Sequence, residues 1–279
     1  MTLTFPQLSP IAFSVGPIVV RWYGIMYFLG YALGVYLARQ RIKHGLVPMI
    51  AAQLDSLVGY LVFGMLVGAR VVYALVYEPG HYLSDPLEFF RIWHGGLSFH
   101  GAVIGMTLAC VLFARRNHVP TLAVTDTMSL AGTPGLAFGR LGNFINGELY
   151  GRVTNVPWAM VFPNDPLHLS RHPSQLYEAL CEGVLLSLLL WSFDRRARAS
   201  GWNKPGLVSA AFLVGYGALR FALEFTRQPD AQLGLVLGPL SAGQLLCVLM
   251  IVSGIAWLAI IYRSRAPGDA GVRPEAHGS

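Results

Sequence analysis

The chain has 279 residues, 54% of them hydrophobic and 12% charged, about half the roughly 25% charged residues of an average soluble domain. A chain of this composition is an integral membrane protein. Its net charge of +6 sits in short basic clusters between apolar runs, the positive-inside pattern rather than a nucleic-acid-binding surface, so nucleic acid is excluded as a partner.

Cys110, Cys181 and Cys247 lie in three different apolar runs, without the spacing of metal ligands, and read as small core residues. The first apolar run has no basic region before it and no small-residue cleavage site after it, so it is expected to be retained rather than removed as a signal peptide.

A spanning helix needs about 20 mostly apolar residues. Seven segments meet or approach that length, over residues 17–38, 52–77, 95–114, 121–140, 174–193, 206–226 and 239–262. Basic residues follow the first span (Arg39, Arg41, Lys43), the third (Arg115, Arg116), the fifth (Arg195, Arg196, Arg198, Lys204) and the seventh (Arg263, Arg265). Those ends face the cytoplasm. The expected fold is an all-α integral membrane protein of about seven transmembrane helices, with its N-terminus outside, its C-terminus cytoplasmic and a small extracytoplasmic loop region. Residues 1–265 are expected to form one transmembrane catalytic domain, and 266–279, with Pro267, Gly268, Gly271 and Pro274, a disordered cytoplasmic tail.

The first span opens Arg21-Trp22-Tyr23-Gly24. Trp22 reads as an interfacial anchor, while Tyr23 and Tyr27, four apart, share a helix face. The second span carries Arg70, which must face the bundle interior or snorkel; a structural partner or a ligand could satisfy it. His94-Gly95-Gly96-Leu97-Ser98-Phe99-His100-Gly101 then brings a glycine-bearing loop to the outer end of the third span, where a helix start favours anions. His100, about one turn below the surface, is the candidate proton acceptor, because an imidazole titrates near pH 6.5.

Pro134 is expected to kink the fourth span, which delivers the densest polar stretch of the chain, Gly139-Arg140-Leu141-Gly142-Asn143-Phe144-Ile145-Asn146-Gly147-Glu148-Leu149-Tyr150-Gly151. Arg140 and Glu148 would each cost about 2.5–3.5 kcal/mol at the centre of a lipid-facing helix, which implies a protein-lined or watery cavity. The four glycines weaken a helix and let backbone N–H groups approach a ligand. The plain alternative is a helix closed by a C-cap glycine. Residues 152–173 should contain short strands or turns; Ser174 is expected to cap the fifth span, with Gln175 and Glu178 candidates to line the cavity. In the sixth span Tyr216, Arg220 and Glu224 follow i, i+4, i+8 and form one polar stripe, unless Arg220 and Glu224 merely neutralise each other.

Tyr23, His100, Arg140, Asn143, Glu148, Arg220 and Glu224 come from different segments yet all map to the outer half of the membrane. Two arginines near one depth suit a phosphate or other anionic headgroup, and a nearby histidine suits deprotonation of a nucleophile. The chain lacks a Gly-x-Ser-x-Gly elbow, a His-Glu-x-x-His pair and a carboxylate cluster suited to magnesium, so neither metal nor cofactor is expected. The residues point to an enzyme acting on an anionic phospholipid at the outer leaflet. A transporter would carry polar groups through the midplane or in both halves; a lipid hydrolase would share the headgroup site and use water as acceptor.

The stretch from Gly139 to Gly151 resembles the Gly-Arg-x-Gly-Asn-Phe-x-Asn-x-Glu signature of the bacterial phosphatidylglycerol–prolipoprotein diacylglyceryl transferases. Arg21-Trp22-Tyr23-Gly24, Gly95 to Gly101, Arg171-His172-Pro173-Ser174-Gln175-Leu176-Tyr177-Glu178, Gly215-Tyr216-Gly217 with Arg220 and Glu224, and Arg227-Gln228-Pro229-Asp230 are similar to that family's blocks in the family's order. The resemblance covers nearly the whole chain; the connection over 152–173 is shorter than in some members.

It implies transfer of the diacylglyceryl group from phosphatidylglycerol to the lipobox cysteine thiol of a preprolipoprotein signal peptide, in the bacterial plasma (inner) membrane, giving a thioether and glycerol phosphate. In that reading His100 is the base or its positioning partner, Arg140 and Arg220 hold the phosphate, and Glu224 orients Arg220. Asn143, Asn146, Glu148 and Gly151 bind the headgroup or fix the loop, and Tyr23 and Tyr216 add hydrogen bonds.

Overall fold

The computed structural model describes residues 3–6, 8–228, 235–237 and 240–263; the side chains of Phe99, His100, Ala242 and residues 235–237 lie outside the description, as does the tail from 264 onward. Among the described residues there are seven helices of 17 or more residues: α1 (Trp22–Lys43), α2 (Ala51–Val72), α4 (Phe99–Arg116), α5 (Thr121–Ile145), a continuous helix over Ser174–Ala199, α8 (Leu207–Leu223) and α9 (Ala242–Arg263). A short α3 (Pro79–Ser84) precedes α4, and the helix over Ser174–Ala199 comprises α6 (Ser174–Glu178), a π-helical stretch Ala179–Leu185 and α7 (Leu186–Ala199). Ala51–Tyr77, Ser174–Ala199 and Gly243–Arg263 are long and apolar enough to cross a membrane.

The fold is not purely helical. Residues 17–21, read from their apolar character as the start of a span, belong instead to a β-hairpin in which β2 (Ile11–Val15) pairs antiparallel with β3 (Ile18–Arg21). The reason is local: Gly16 takes φ 58°, a left-handed turn conformation open to glycine, and β-branched residues on both sides favour strands. The connection after α5 supplies β4 (Met160–Val161) and β5 (Ser170–Arg171), and β1 (Leu3–Thr4) adds parallel to β4, giving the order β1-β4-β5. Phe5 ties that sheet down, its ring centroid 5.2 Å from those of Phe144 and Phe162. A last hairpin pairs β6 (Leu235–Leu237) with β7 (Leu240–Ser241).

Backbone contacts divide the chain into two compact units, residues 35–131 and residues 1–34 with 132–279. In the first, α2 and α4 meet through glycines: a Cβ on Gly68 would lie 2.7 Å from Gly105 Cα, and one on Gly64 2.7 Å from Ala109 Cβ. Small residues allow such backbone approach where lipid offers no hydrophobic drive to association. Leu54, Leu57, Phe113 and Val124, all out of solvent, form this unit's apolar core.

The second unit uses the same device to bring polar side chains together. A Cβ on Gly30 of α1 would stand 3.2 Å from Gly135 Cα of α5, and one on Gly142 2.9 Å from Tyr23 Cδ2. Gly183, in the π-helical stretch, presses on α5 so closely that a Cβ would lie 2.5 Å from Ala137 Cβ. Gly217 packs α8 on α9, where a Cβ would meet the Cys247 carbonyl at 3.0 Å.

Candidate active site

Because Gly183 seats its helix against Ala137, Arg140 emerges one helical turn further along α5 beside two carboxylates of that helix. Arg140 Nε lies 2.8 Å from Glu178 Oε2, and Arg140 Nη2 lies 3.9 Å from Glu182 Oε2. The other oxygen of Glu182 faces Arg220 Nη1 of α8 at 3.8 Å. Arg220 Nη2 is 3.0 Å from Glu224 Oε2, which also lies 3.6 Å from Arg227 Nε, and Arg227 Nη1 returns to Glu178 Oε1 at 2.8 Å. The contacts close a ring of alternating charge: Arg140, Glu178, Arg227, Glu224, Arg220, Glu182 and back to Arg140.

The carboxylate side chains of the ring are 1–10% exposed and the guanidinium side chains 13–24%. Three positive and three negative side chains balance, which is what permits such burial, since a lone ion out of water costs several kcal/mol. Ser241 Oγ donates to Glu224 Oε1 at 2.9 Å, and Arg152 Nε to the Arg227 carbonyl at 2.7 Å. Tyr216, one turn before Arg220 on α8, lies within the field of Glu182, Arg220 and Arg140. Four ring atoms that are shielded from solvent make no hydrogen bond of good geometry: Glu178 Oε2, Glu182 Oε1, Arg220 Nη1 and Glu224 Oε2.

A second polar group forms where α5 ends. Gly147 N–H donates to the Phe144 carbonyl and Glu148 N–H to the Asn143 carbonyl, with Gly147 at φ 67°, the double bond pattern of a Schellman motif with glycine at C′. The helix-closing glycine and the polar cluster are therefore one feature. That turn sends the Glu148 carboxylate back along the helix, where Oε1 accepts from Asn143 Nδ2 at 2.8 Å and Asn146 Nδ2 at 3.3 Å. Tyr23 OH, 3.1 Å from Tyr27 OH, adjoins the same Asn143.

Ser174 is not the helix cap that its residue type indicated: Pro173 holds that position, and Ser174 Oγ donates to the Leu149 carbonyl at 3.1 Å. Gln175 Nε2 donates to the Glu148 carbonyl at 2.6 Å. These two residues pin the loop after α5 to the helix that carries Glu178 and Glu182.

Gly151 acts through the backbone. It bridges to Arg227 while Val153 bridges to Arg171, and its N–H donates to the His172 carbonyl at 2.9 Å. A Cβ there would collide with the Thr226 carbonyl and lie 2.8 Å from His172 Cβ. Beneath this junction Arg171 grips Asp165 with two bonds, Nε to Oδ2 at 2.6 Å and Nη2 to Oδ1 at 2.9 Å. That fork, with backbone N–H groups of Leu169 and Leu167, outweighs burial and holds the Asp165 carboxyl below its ordinary value.

In the other unit, Arg70 is committed to structure. Nε donates to the Phe89 carbonyl at 2.9 Å, Nη1 to those of Gly95 and Gly96, and Nη2 to those of Glu88 and Arg91. Every nitrogen of its guanidinium thus serves the loop before α4, which decides between the two readings of this charge in favour of a structural partner. The backbone of His100 lies in the first turn of α4, after the Ser98 cap; its side chain lies outside the described residues.

Residues 10–260 match the family model described as prolipoprotein diacylglyceryl transferase. The chain is 49% identical over 253 residues to the phosphatidylglycerol–prolipoprotein diacylglyceryl transferase of Bordetella bronchiseptica, spanning 90% of this chain and 95% of that one. It is 47% identical over 268 residues to the enzyme of the same name from Bordetella avium, covering 95% and 100%. With that of Cupriavidus pinatubonensis it shares 45% identity over 270 residues, 95% of each chain.

Proposed function

The chain belongs to the prolipoprotein diacylglyceryl transferase family, and on that premise we propose that the Arg140–Arg220–Arg227 ring is where it takes phosphatidylglycerol and passes the diacylglyceryl group to a prolipoprotein cysteine. The thiol sulfur attacks the glyceryl carbon that carries the phosphate ester. A carbon–sulfur bond forms, the carbon–oxygen bond breaks, and the electron pair leaves with glycerol phosphate. Arg140 and Arg220 bind the phosphate and stabilise the charge that collects on the departing oxygen, a task for the guanidinium fork in a site screened from water. A thiol with a pKa near 8.5 is only a few per cent thiolate at neutral pH, so a base accelerates the attack. We assign that base to His100. Asn143, Asn146, Glu148 and Tyr23 form the wall toward the glycerol hydroxyls, and Tyr216 adds a hydrogen bond beside Arg220.

The seven long helices cross the bacterial plasma membrane with the N-terminus outside and the C-terminus cytoplasmic, as one catalytic domain. Arg140, Arg220 and Arg227 then lie toward the outer leaflet, where a lipobox cysteine arrives behind the apolar segment of its signal peptide. The observation that carries the reading is the gathering of three arginines around buried carboxylates within a chain of this family.

The test uses purified protein in phosphatidylglycerol vesicles with a synthetic lipobox peptide. A diacylglyceryl mass gain on the Cys peptide and none on its Ser counterpart is the expected result; lipid breakdown without peptide modification would replace the transferase by a hydrolase. For His100 the measurement is the pH–rate profile, which should lose its rise in the His100→Asn variant.

A further inference from the structure

The six contacts of the ring are unequal. Glu178 is held at 2.8 Å by both of its arginines, and Glu224 at 3.0 Å by Arg220. Glu182 stands back from both of its neighbours, 3.9 Å from Arg140 Nη2 and 3.8 Å from Arg220 Nη1. Its Oε1 and the facing Arg220 Nη1 are shielded from solvent, and neither makes a hydrogen bond. Glu182 also lies within the π-helical stretch Ala179–Leu185, a widened turn of a kind that occurs mostly at functional sites. By distance, Arg140 and Arg220 therefore keep close ion pairs with Glu178 and Glu224, and turn Arg140 Nη2 and Arg220 Nη1 toward one carboxylate held further off.

We propose that Glu182 is an internal counter-anion: between Arg140 Nη2 and Arg220 Nη1 its carboxylate takes the position that phosphate oxygens take when the lipid headgroup binds, and it competes with them. The proposal rests on the reading of Arg140 and Arg220 as the phosphate-binding pair. Two guanidinium groups facing one another need an anion between them, and a tethered carboxylate supplies it without the directional bonds that would make it hard to displace. Competition matters most after the reaction. The lipid headgroup is a phosphodiester with a single negative charge, whereas glycerol phosphate is a monoester carrying about −1.5 to −2 at pH 7. A fixed negative group beside the site weakens the product more than the substrate and so speeds its departure. Glu182 is in this sense a positioning residue that acts through two arginines.

The test is steady-state transfer in phosphatidylglycerol vesicles with added glycerol phosphate as inhibitor, comparing the wild type with Glu182→Gln and with Glu182→Asp, which keeps the charge but withdraws it by one methylene. For Glu182→Gln the expected result is a several-fold lower KM for phosphatidylglycerol, a lower kcat, and inhibition by glycerol phosphate at least tenfold stronger. Glu182→Asp should shift the same way by less, and it carries the test if the glutamine variant does not fold. A merely structural carboxylate would give a raised KM and unchanged or weaker inhibition, which overturns the proposal while leaving the phosphate site intact. If glycerol phosphate inhibits neither the wild type nor either variant, the phosphate reading of Arg140 and Arg220 falls, and this proposal falls with it.

Discussion

Arg227 donates from Nη1 to Glu178 Oε1 over 2.8 Å, joining residues 49 apart in sequence. The other oxygen of Glu178 holds Arg140, so one buried carboxylate fixes two of the three arginines. Glu178→Gln leaves both guanidinium groups undercompensated; breaking a buried pair from one side costs about 3–5 kcal/mol. The expected outcome is a lowered thermal midpoint in detergent together with a loss of transfer on the order of 10²-fold or more. Normal turnover by this variant would remove Glu178 from the site.

Charge alone does not replace the fork at Arg140. Arg140→Lys keeps the positive charge but gives up the planar set of donors that reaches Glu178 from Nε and Glu182 from Nη2. Turnover should fall on the order of 10²-fold, the scale of losing one donor to developing charge, and Arg140→Ala should abolish transfer, with both proteins inserting into the membrane at wild-type levels. Transfer assays normalised to membrane-fraction protein measure this directly.

Gly151→Ala tests a position that touches nothing by side chain. The added methyl meets the Thr226 carbonyl and His172 Cβ, and such overpacking typically costs about 1–3 kcal/mol. Because the same junction carries Arg227, activity should drop well below what the loss of folded protein explains. A variant as stable and active as the wild type would mean that the segments carrying Gly151, His172 and Thr226 separate freely.

Acid should loosen the loop region that follows α5 through Asp165. Its carboxyl titrates below its ordinary value because Arg171 grips it, so the pair's stabilisation is complete above the unfolded-state pKa of roughly 3.9 and is lost as pH falls through the lower folded value. Asp165→Asn should be less stable than the wild type at neutral pH, and the gap should close on acidification below about pH 4. Thermal unfolding of both proteins across that range decides it; a gap that persists at low pH would trace the stability to packing.

Much of this was legible in the residues because lipid punishes buried charge. The seven long helices follow from apolar runs, and Arg140, Arg220 and Glu224 stand out as charges within them. Glu182 is inconspicuous inside Ala-Leu-Cys-Glu-Gly-Val-Leu, although the same cost applies to it and its spacing of four from Glu178 is a usable signal. Arg227 stands out in the sequence only within the Arg227-Gln228-Pro229-Asp230 block and carries no site role there, since sequence does not reveal that the chain turns it back toward Glu178. The hairpin over residues 11–21 was hidden because strand and span are both apolar there; the Gly16-Pro17 turn was the sign. Ser174 had the chemistry of a cap, but the Leu149 carbonyl, from a distant part of the chain, claimed its hydroxyl.

The paired charges also bear on how the protein is made. Arg140 is synthesised 38 residues before Glu178, and Arg220 and Arg227 later still, so a nascent chain that has just delivered α5 carries an arginine whose counter-ions do not yet exist. Each such charge resists transfer into lipid by roughly 2.5–3.5 kcal/mol. Arg140 must therefore wait in wet surroundings until Glu178 and Glu182 emerge, and the second negative charge of that pair is balanced only when Arg220 follows on α8. Full entry into the bilayer and closure of the charge ring become the same event, and a chain truncated before residue 220 would linger, unfinished, within reach of the cell's proteases.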